Sequence, residues 1–224
     1  MESQAVGLTT VAYVRPADVT AQLNGLDLTR EVLLEAVHFG STYAAECTRH
    51  DPSSLAGTLL WGKTVRHLRD RLIPAGWDAR DKRNLPLTVH PSGRWAIVVA
   101  SGDEHTGIPD RTPSTRYDRG SATQQVVSIN QLSFATLSAD FAKLDAAALH
   151  RTWFLLHYRD NDADEIRVEL SLPIEMTSDN FVTQWERRII LAGAGDGSAS
   201  AHSVPDSSFD PDVDMIDVPV LKRA

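Results

Sequence analysis

Cysteine is all but absent: Cys47 is the only one in 224 residues. No disulfide can close within the chain, which fits a reducing compartment. A structural zinc site built on cysteines is excluded by the same count. No apolar run approaches the roughly 20 residues that cross a bilayer. The opening stretch "MESQAVGLTTVAYVRP" lacks a basic segment leading into an apolar one, so no signal peptide is expected there. The expectation is a soluble, cytoplasmic protein without a membrane partner.

Diagnostic catalytic motifs are missing too. There is no G-x-x-x-x-G-K-[ST] phosphate loop, no G-x-G-x-x-G, no H-E-x-x-H, no G-x-S-x-G and no Cys-x-x-Cys. "AGAGDG" (192–197) is rich in glycine, but it follows a segment that reads as helical and leads into a polar tail. A phosphate loop needs the reverse order, strand then helix.

What is present is an ordinary globular composition, with 42% apolar and 23% charged residues, enough to bury a core over most of the length. The formal net charge of -8 argues against generic nucleic-acid binding, which rests on neutralising phosphates. The charge is split, however. Residues 60–120 carry eleven Lys/Arg against seven Asp/Glu, whereas residues 158–217 carry fourteen Asp/Glu against four arginines. Either the two regions serve different partners, or the acidic end covers the basic middle.

Periodicity gives the organisation. "GLTTVAYV" (7–14) reads as a short strand stopped at Arg15-Pro16. A helix is expected over 29–49, with Leu33, Val37, Gly40, Ala44 and Cys47 on one stripe. Asp51-Pro52 reads as the start of a second helix, running to about Ile73, on which Trp61, Val65, Leu68 and Leu72 share a face. The two should form an antiparallel helical hairpin. "LTVHPSGRWAIVVA" (87–100) reads as a β-hairpin turning at Pro91-Ser92-Gly93, its second strand apolar on both faces. A weaker helical region follows in two pieces, the second capped by Ser138. Residues 152–172 form a second hairpin. Its returning strand places Ile166, Val168, Leu170 and Leu172 inward and Glu165, Arg167, Glu169 and Ser171 outward, as on a wet face or an exposed edge. "TSDNFVTQWERRIIL" (177–191) looks helical through Arg188, with Val182, Trp185 and Ile189 on one side.

The expected fold is therefore α+β: helical hairpins packed on antiparallel β-hairpins that form one small sheet. One domain spans 7–191. Residues 192–224, rich in Gly, Ser, Pro and Asp, read as a flexible acidic C-terminal tail with too little apolar surface to offset the entropy of ordering.

Three groups of residues carry candidate chemistry. Asp103, Glu104 and His105 follow a central strand, where they could hold a divalent metal or act as general acid and base. The simpler account is a polar turn built from residues that favour turns. His90 lies at the other end of its hairpin and drops out. The 101–120 loop carries Arg111, Arg116, Tyr117 and Arg119, a composition suited to gripping phosphate or an acidic protein surface, or else packs as an ordered Ω-type loop. Lys63, Arg66, Arg69, Lys82 and Arg83 dominate the densest basic run, which is either solvated surface or a contact for an anionic partner. Trp77, next to a helix-ending glycine, is the tryptophan expected to be exposed.

The combination points to a non-catalytic binding or adaptor protein. It would recognise a protein or nucleic-acid-containing partner through the basic helix face and the Arg/Tyr loop. The alternative is a metal-dependent hydrolase or nuclease using Asp103, Glu104 and His105, with a divalent metal as cofactor. Direct nucleic-acid binding through the 63–83 run and the loop arginines is a third reading.

Overall fold

The structure, a computed structural model, describes residues 10–135 and 150–195. The expected helix around Ser138 and most of the expected tail lie outside the described residues.

The chain begins with β1 (Val11–Tyr13) and three helices, α1 (Pro16–Asn24), α2 (Arg30–Ala45) and α3 (Leu55–Leu72). Strands β2 (Asp78–Lys82), β3 (Leu85–Val89) and β4 (Trp95–Ser101) follow, then α4 (Ser121–Ala135). Strands β5 (Arg151–Asp160), β6 (Glu165–Met176) and β7 (Val182–Ala192) complete the described fold. All seven strands join one mixed sheet in the order β1-β7-β6-β5-β4-β3-β2. The class is mixed α and β, but the sheet is larger than expected and not purely antiparallel: β1 pairs β7, and β4 pairs β5, in parallel.

Local chemistry sets the helix limits. Thr29 caps α2 by accepting the Val32 N–H at 3.3 Å. Asp51 does not open α3; its carboxylate takes the Thr48 N–H at 2.8 Å, and the helix starts four residues later. Gly76, at φ +91°, stops the short 3-10 turn that follows α3. Where α2 meets α3, a side chain at Gly40 would lie 2.4 Å from both the Leu60 carbonyl oxygen and Thr64 Oγ1, so the helix backbones come close there.

Helices cover both faces of the sheet. On one, Leu33, Val37, Val65, Leu68 and Leu72 pack against Ile97, Val99, Leu155, Val168, Leu170 and Ile189. On the other, Val126 and Val127 of α4 pack against Ala96, Val98, Ala100, Phe154, Leu156 and Trp185. Strand β4 is buried on both sides, as its double-sided apolar pattern requires.

Four further expectations are corrected. Residues 182–192 are strand, not helix. Trp77 is buried, at 5% exposure, while Trp61, expected on the buried face, is 36% exposed. The reason for Trp61 is local: β3 and β4 pair at only two positions, Thr88 with Ile97 and Val89 with Ala96. Beyond that point the indole N–H of Trp61 donates to the Val99 carbonyl at 3.2 Å, and Arg69 Nη2 donates to Leu87 O at 3.2 Å. Lastly, β6 lies between β5 and β7 rather than at an edge, and Arg167, Glu169 and Ser171 are buried rather than wet.

Candidate functional site

What covers the polar face of β6 is the long loop after β4. Strand β4 ends at Ser101, and residues 102–120 lie against the sheet as an ordered layer. Gly102 donates to the His157 carbonyl at 2.9 Å and bridges to Thr115. Arg116 N–H returns to Ser101 O at 2.9 Å, Thr115 N–H to Val182 O at 3.0 Å, and Arg119 N–H to Asn180 O at 2.9 Å. The indole of Trp185 donates to Pro113 O at 2.8 Å.

The centre of this layer is an ion pair from neighbouring strands. Arg188 Nε and Nη2 donate to Glu169 Oε1 and Oε2 at 3.0 and 2.6 Å. The same guanidinium donates to the carbonyl oxygens of Ile108, at 3.1 Å, and of Arg111. Glu169 also accepts the Gly107 N–H at 2.8 Å and the Ser171 hydroxyl at 2.6 Å. Gly107 has φ +75°, and a Cβ there would sit 2.8 Å from Ala192 O, so glycine is required. Arg167 adds a further tie, donating to Glu104 O at 2.7 Å. A buried charge pair is tolerated when its remaining donors and acceptors are filled, and here the loop's own backbone fills them.

Within this layer Asp103 organises its neighbours. Its Oδ1 accepts the His105 N–H at 3.1 Å, and its Oδ2 accepts the Ser114 N–H at 3.0 Å. Burial raises the Asp103 pKa above the usual carboxylate value, and the two backbone hydrogen bonds pull against that rise. The His105 ring is 3.8 Å from the same carboxylate, and Glu104 is exposed. Among the described residues no three His, Cys, Asp or Glu side chains are placed to hold a metal ion.

The loop's remaining side chains divide into two sets. Arg111, Arg116 and Tyr117 are exposed, Tyr117 to 52%, with the Arg116 guanidinium 5.9 Å from the Tyr117 ring centre. Arg119 is half-buried, and its Nε and Nη2 have no hydrogen-bond partner. His157, opposite Ser101 on β5, is only 2% exposed, and its Nε2 also lacks a partner. Burial lowers the His157 pKa to about 4, and the charges of Arg119 and Arg116 push the same way.

The basic run lies elsewhere, and most of its charge is answered locally. Arg66 pairs with Asp70 at 3.5 Å, Arg69 with Asp81 at 2.7 Å, Arg71 with Glu35 at 3.2 Å and Arg80 with Asp78 at 2.8 Å. The Lys63 ammonium lies 4.1 Å from the Tyr43 ring centre. Lys82 and Arg83 are exposed at the end of β2. The run and the loop therefore belong to different elements rather than to one continuous set.

His90 proves to be a structural residue. Its Nε2 meets Asp27 Oδ2 at 3.0 Å, and its Nδ1 meets Ser92 Oγ at 2.7 Å and takes the Ser92 N–H at 3.1 Å. The ring lies against Trp95 and the edge of Trp77. Because the turn's backbone already uses the Nδ1 lone pair, this arrangement clamps the β3–β4 turn to the segment between α1 and α2.

Glu169, Arg188, Arg167 and His157 are site residues that the sequence reading misses. One signal points to the first three: charged residues alternate on β6, and Glu186, Arg187 and Arg188 lie on a neighbouring strand. Compared with family models, curated proteins and solved structures, the chain gives no match.

Proposed function

We propose that this protein is a non-catalytic binding protein whose recognition surface is the 108–119 loop. The observation that carries this reading is the contrast between the loop's backbone and its side chains. Carbonyl oxygens of Ile108, Arg111 and Pro113 are held by buried Arg188 and Trp185, yet Arg111, Arg116 and Tyr117 point outward. A loop ordered before binding loses little entropy on contact, so its exposed arginines and tyrosine bind more effectively than the same residues on a mobile loop. The composition suits a partner surface rich in carboxylates or phosphates.

The experiment compares the immobilised full chain with an Arg111→Ala/Arg116→Ala/Tyr117→Ala variant of equal urea stability. Cell extract passes over both, with and without nuclease treatment. Proteins held by the wild type, lost from the variant and released by salt support the reading. Retention that vanishes after nuclease treatment assigns the surface to nucleic acid instead. Equal retention by both chains overturns the proposal.

A further inference from the structure

We propose that the groove between α4 and the β6–β7 turn binds a small neutral carbohydrate. The groove lies apart from the loop surface assigned above, since no residue of 101–120 lines it.

Two side-chain bridges link the walls of the groove near its ends. At one end Gln124 of α4 donates through Nε2 to Asn180 Oδ1 in the turn. At the other, buried Asn130 donates to Pro173 O on β6 and to Thr152 O on β5, both at 2.9 Å, and accepts the Thr152 N–H at 2.8 Å. Asn130 stands where β5 and β6 part, because their pairing stops at Phe154 and Ser171. The space along these walls measures about 480 Å³. Small-molecule sites commonly span about 300–1,000 Å³. From Gln124 to Gln131, the lining stretch of α4, the helix advances about 10 Å. That is room for a two-ring sugar.

The floor of the groove is apolar: Val127 and Ile174 are buried, and Met176 is half-buried. Its rim is polar and, Glu175 excepted, uncharged. The rim keeps unspent hydrogen-bonding capacity of both kinds. Ser128 Oγ donates to Gln124 O at 2.9 Å and retains its lone pairs. Thr177 Oγ1 accepts the Phe181 N–H at 3.1 Å and retains its hydroxyl hydrogen. Gln124 retains its side-chain carbonyl and Asn180 its amino group, since each spends half of its amide on the bridge. The Gln131 amide and the Glu175 carboxylate are exposed beside them.

The ligand chemistry follows from this balance. No cation lines the groove, so a phosphate or carboxylate ligand would meet Glu175 with nothing to offset the repulsion. A wholly apolar ligand would strip water from the rim without replacing its hydrogen bonds. A sugar hydroxyl is donor and acceptor at once, which a mixed rim requires. A primary amide presents a donor and an acceptor side by side, and a carboxylate presents two acceptors. Both suit adjacent hydroxyls on a ring, whose C–H face can rest on Val127 and Met176. An extended peptide is equally balanced, but its chain must enter and leave, and the two bridges obstruct the ends. The turn is also set in advance: Thr177 N–H donates to Phe181 O at 2.8 Å and Asn180 N–H to Thr177 O at 3.0 Å. Binding therefore orders little that is not already ordered.

The test titrates the nitrogen-15-labelled full chain with maltose, cellobiose, lactose and trehalose. Glycerol at matched hydroxyl concentration is the control. At least one disaccharide should move the side-chain NH₂ signals of Gln131 and Asn180 saturably in the millimolar range, and glycerol should not. Gln131→Ala/Glu175→Ala changes two exposed positions. It should keep the melting temperature and weaken that sugar at least about tenfold. The proposal fails if no disaccharide saturates, if glycerol moves the same signals equally, or if the double variant binds as the wild type does. Shifts at these amides from an acetylated tetra-alanine amide, with none from the sugars, would assign the groove to peptide main chain and overturn it.

Discussion

Glu169 and Arg188 meet on neighbouring strands in a two-bond ion pair almost wholly shut off from solvent. In register Arg188 lies opposite Ser171, so the pair is diagonal and Ser171 Oγ completes it. Both partners also bind loop backbone, at Gly107, Ile108 and Arg111. The pair thus connects the sheet to the loop. Glu169→Gln or Arg188→Met leaves one buried charge uncompensated and should cost about 3–5 kcal/mol in urea unfolding. The Glu169→Leu/Arg188→Met double variant should lose less than the two single losses summed, because neither charge then remains stranded. Tryptic cleavage at Arg111, Arg116 and Arg119 should quicken in the single variants. A single-variant loss below about 1 kcal/mol, with cleavage unchanged, would show that the pair does not hold the loop.

Two helix glycines should respond in opposite directions to the same substitution. In α2, a Cβ at Gly40 meets the Leu60 carbonyl oxygen and Thr64 Oγ1 at 2.4 Å, and backbone must move to admit it. Gly40→Ala should cost about 2 kcal/mol. In α3, a methyl group at Gly62 would meet nothing within 4 Å, so Gly62→Ala should gain roughly 0.5–1 kcal/mol from helix propensity alone. Denaturant midpoints of the two variants decide the point. A neutral Gly40→Ala would mean that α2 and α3 do not approach as described.

Some of this is legible in the sequence and some is hidden by specific physics. The expected α2 and α3, the β3–β4 and β5–β6 hairpins and the buried strand β4 all have clean local periodicity. Strand β7 defeats periodicity because its register with β6 slips repeatedly. Leu172 faces Arg187 while Pro173 faces Trp185, and Glu175 faces Gln184 while Met176 faces Val182. Each extra residue turns the strand over, so Val182 and Trp185 share a face three residues apart and imitate a helix. The alternation on β6 is plain, but its polar face is met by Arg188 and by loop backbone. These partners are distant in sequence, and no local pattern reports a cover supplied from elsewhere. The positions of Arg111, Arg116, Tyr117 and Arg119 in one loop are equally plain, whereas the half-burial of Arg119 and the full burial of His157 require the fold.

The metal-hydrolase alternative has a direct test. Both Asp103 carboxylate oxygens are engaged by backbone N–H groups, and among the described residues no three His, Cys, Asp or Glu side chains are placed to share a cation. Millimolar Mg²⁺ or Mn²⁺ should therefore leave the melting temperature unchanged. Asp103→Ala should instead loosen the loop and cost about 1–2 kcal/mol, since two partly buried donors lose their acceptor. A metal-dependent rise that disappears in the Asp103→Ala/Glu104→Ala/His105→Ala variant would restore the hydrolase reading.

His157 predicts a dependence of stability on pH. Its pKa is lowered from an ordinary 6.5 to about 4 in the folded protein. The unfolded chain therefore binds a proton between those values that the folded chain refuses, and stability falls with pH across that window. The contribution is complete above about pH 6.5 and is lost as pH drops toward 4. Burial also lowers the pKa values of His38 and His150, adding to the same slope, while the raised Asp103 pKa opposes it. The full His157 shift corresponds to about 3 kcal/mol. Urea unfolding in a phosphate-free buffer at pH 7.5, 5.5 and 4.5 should show the wild type losing most of that amount. His157→Gln, which cannot titrate, should lose much less over the same range. Parallel pH profiles for wild type and His157→Gln would mean that His157 takes up a proton as easily folded as unfolded, and that Arg116 and Arg119 do not act on it.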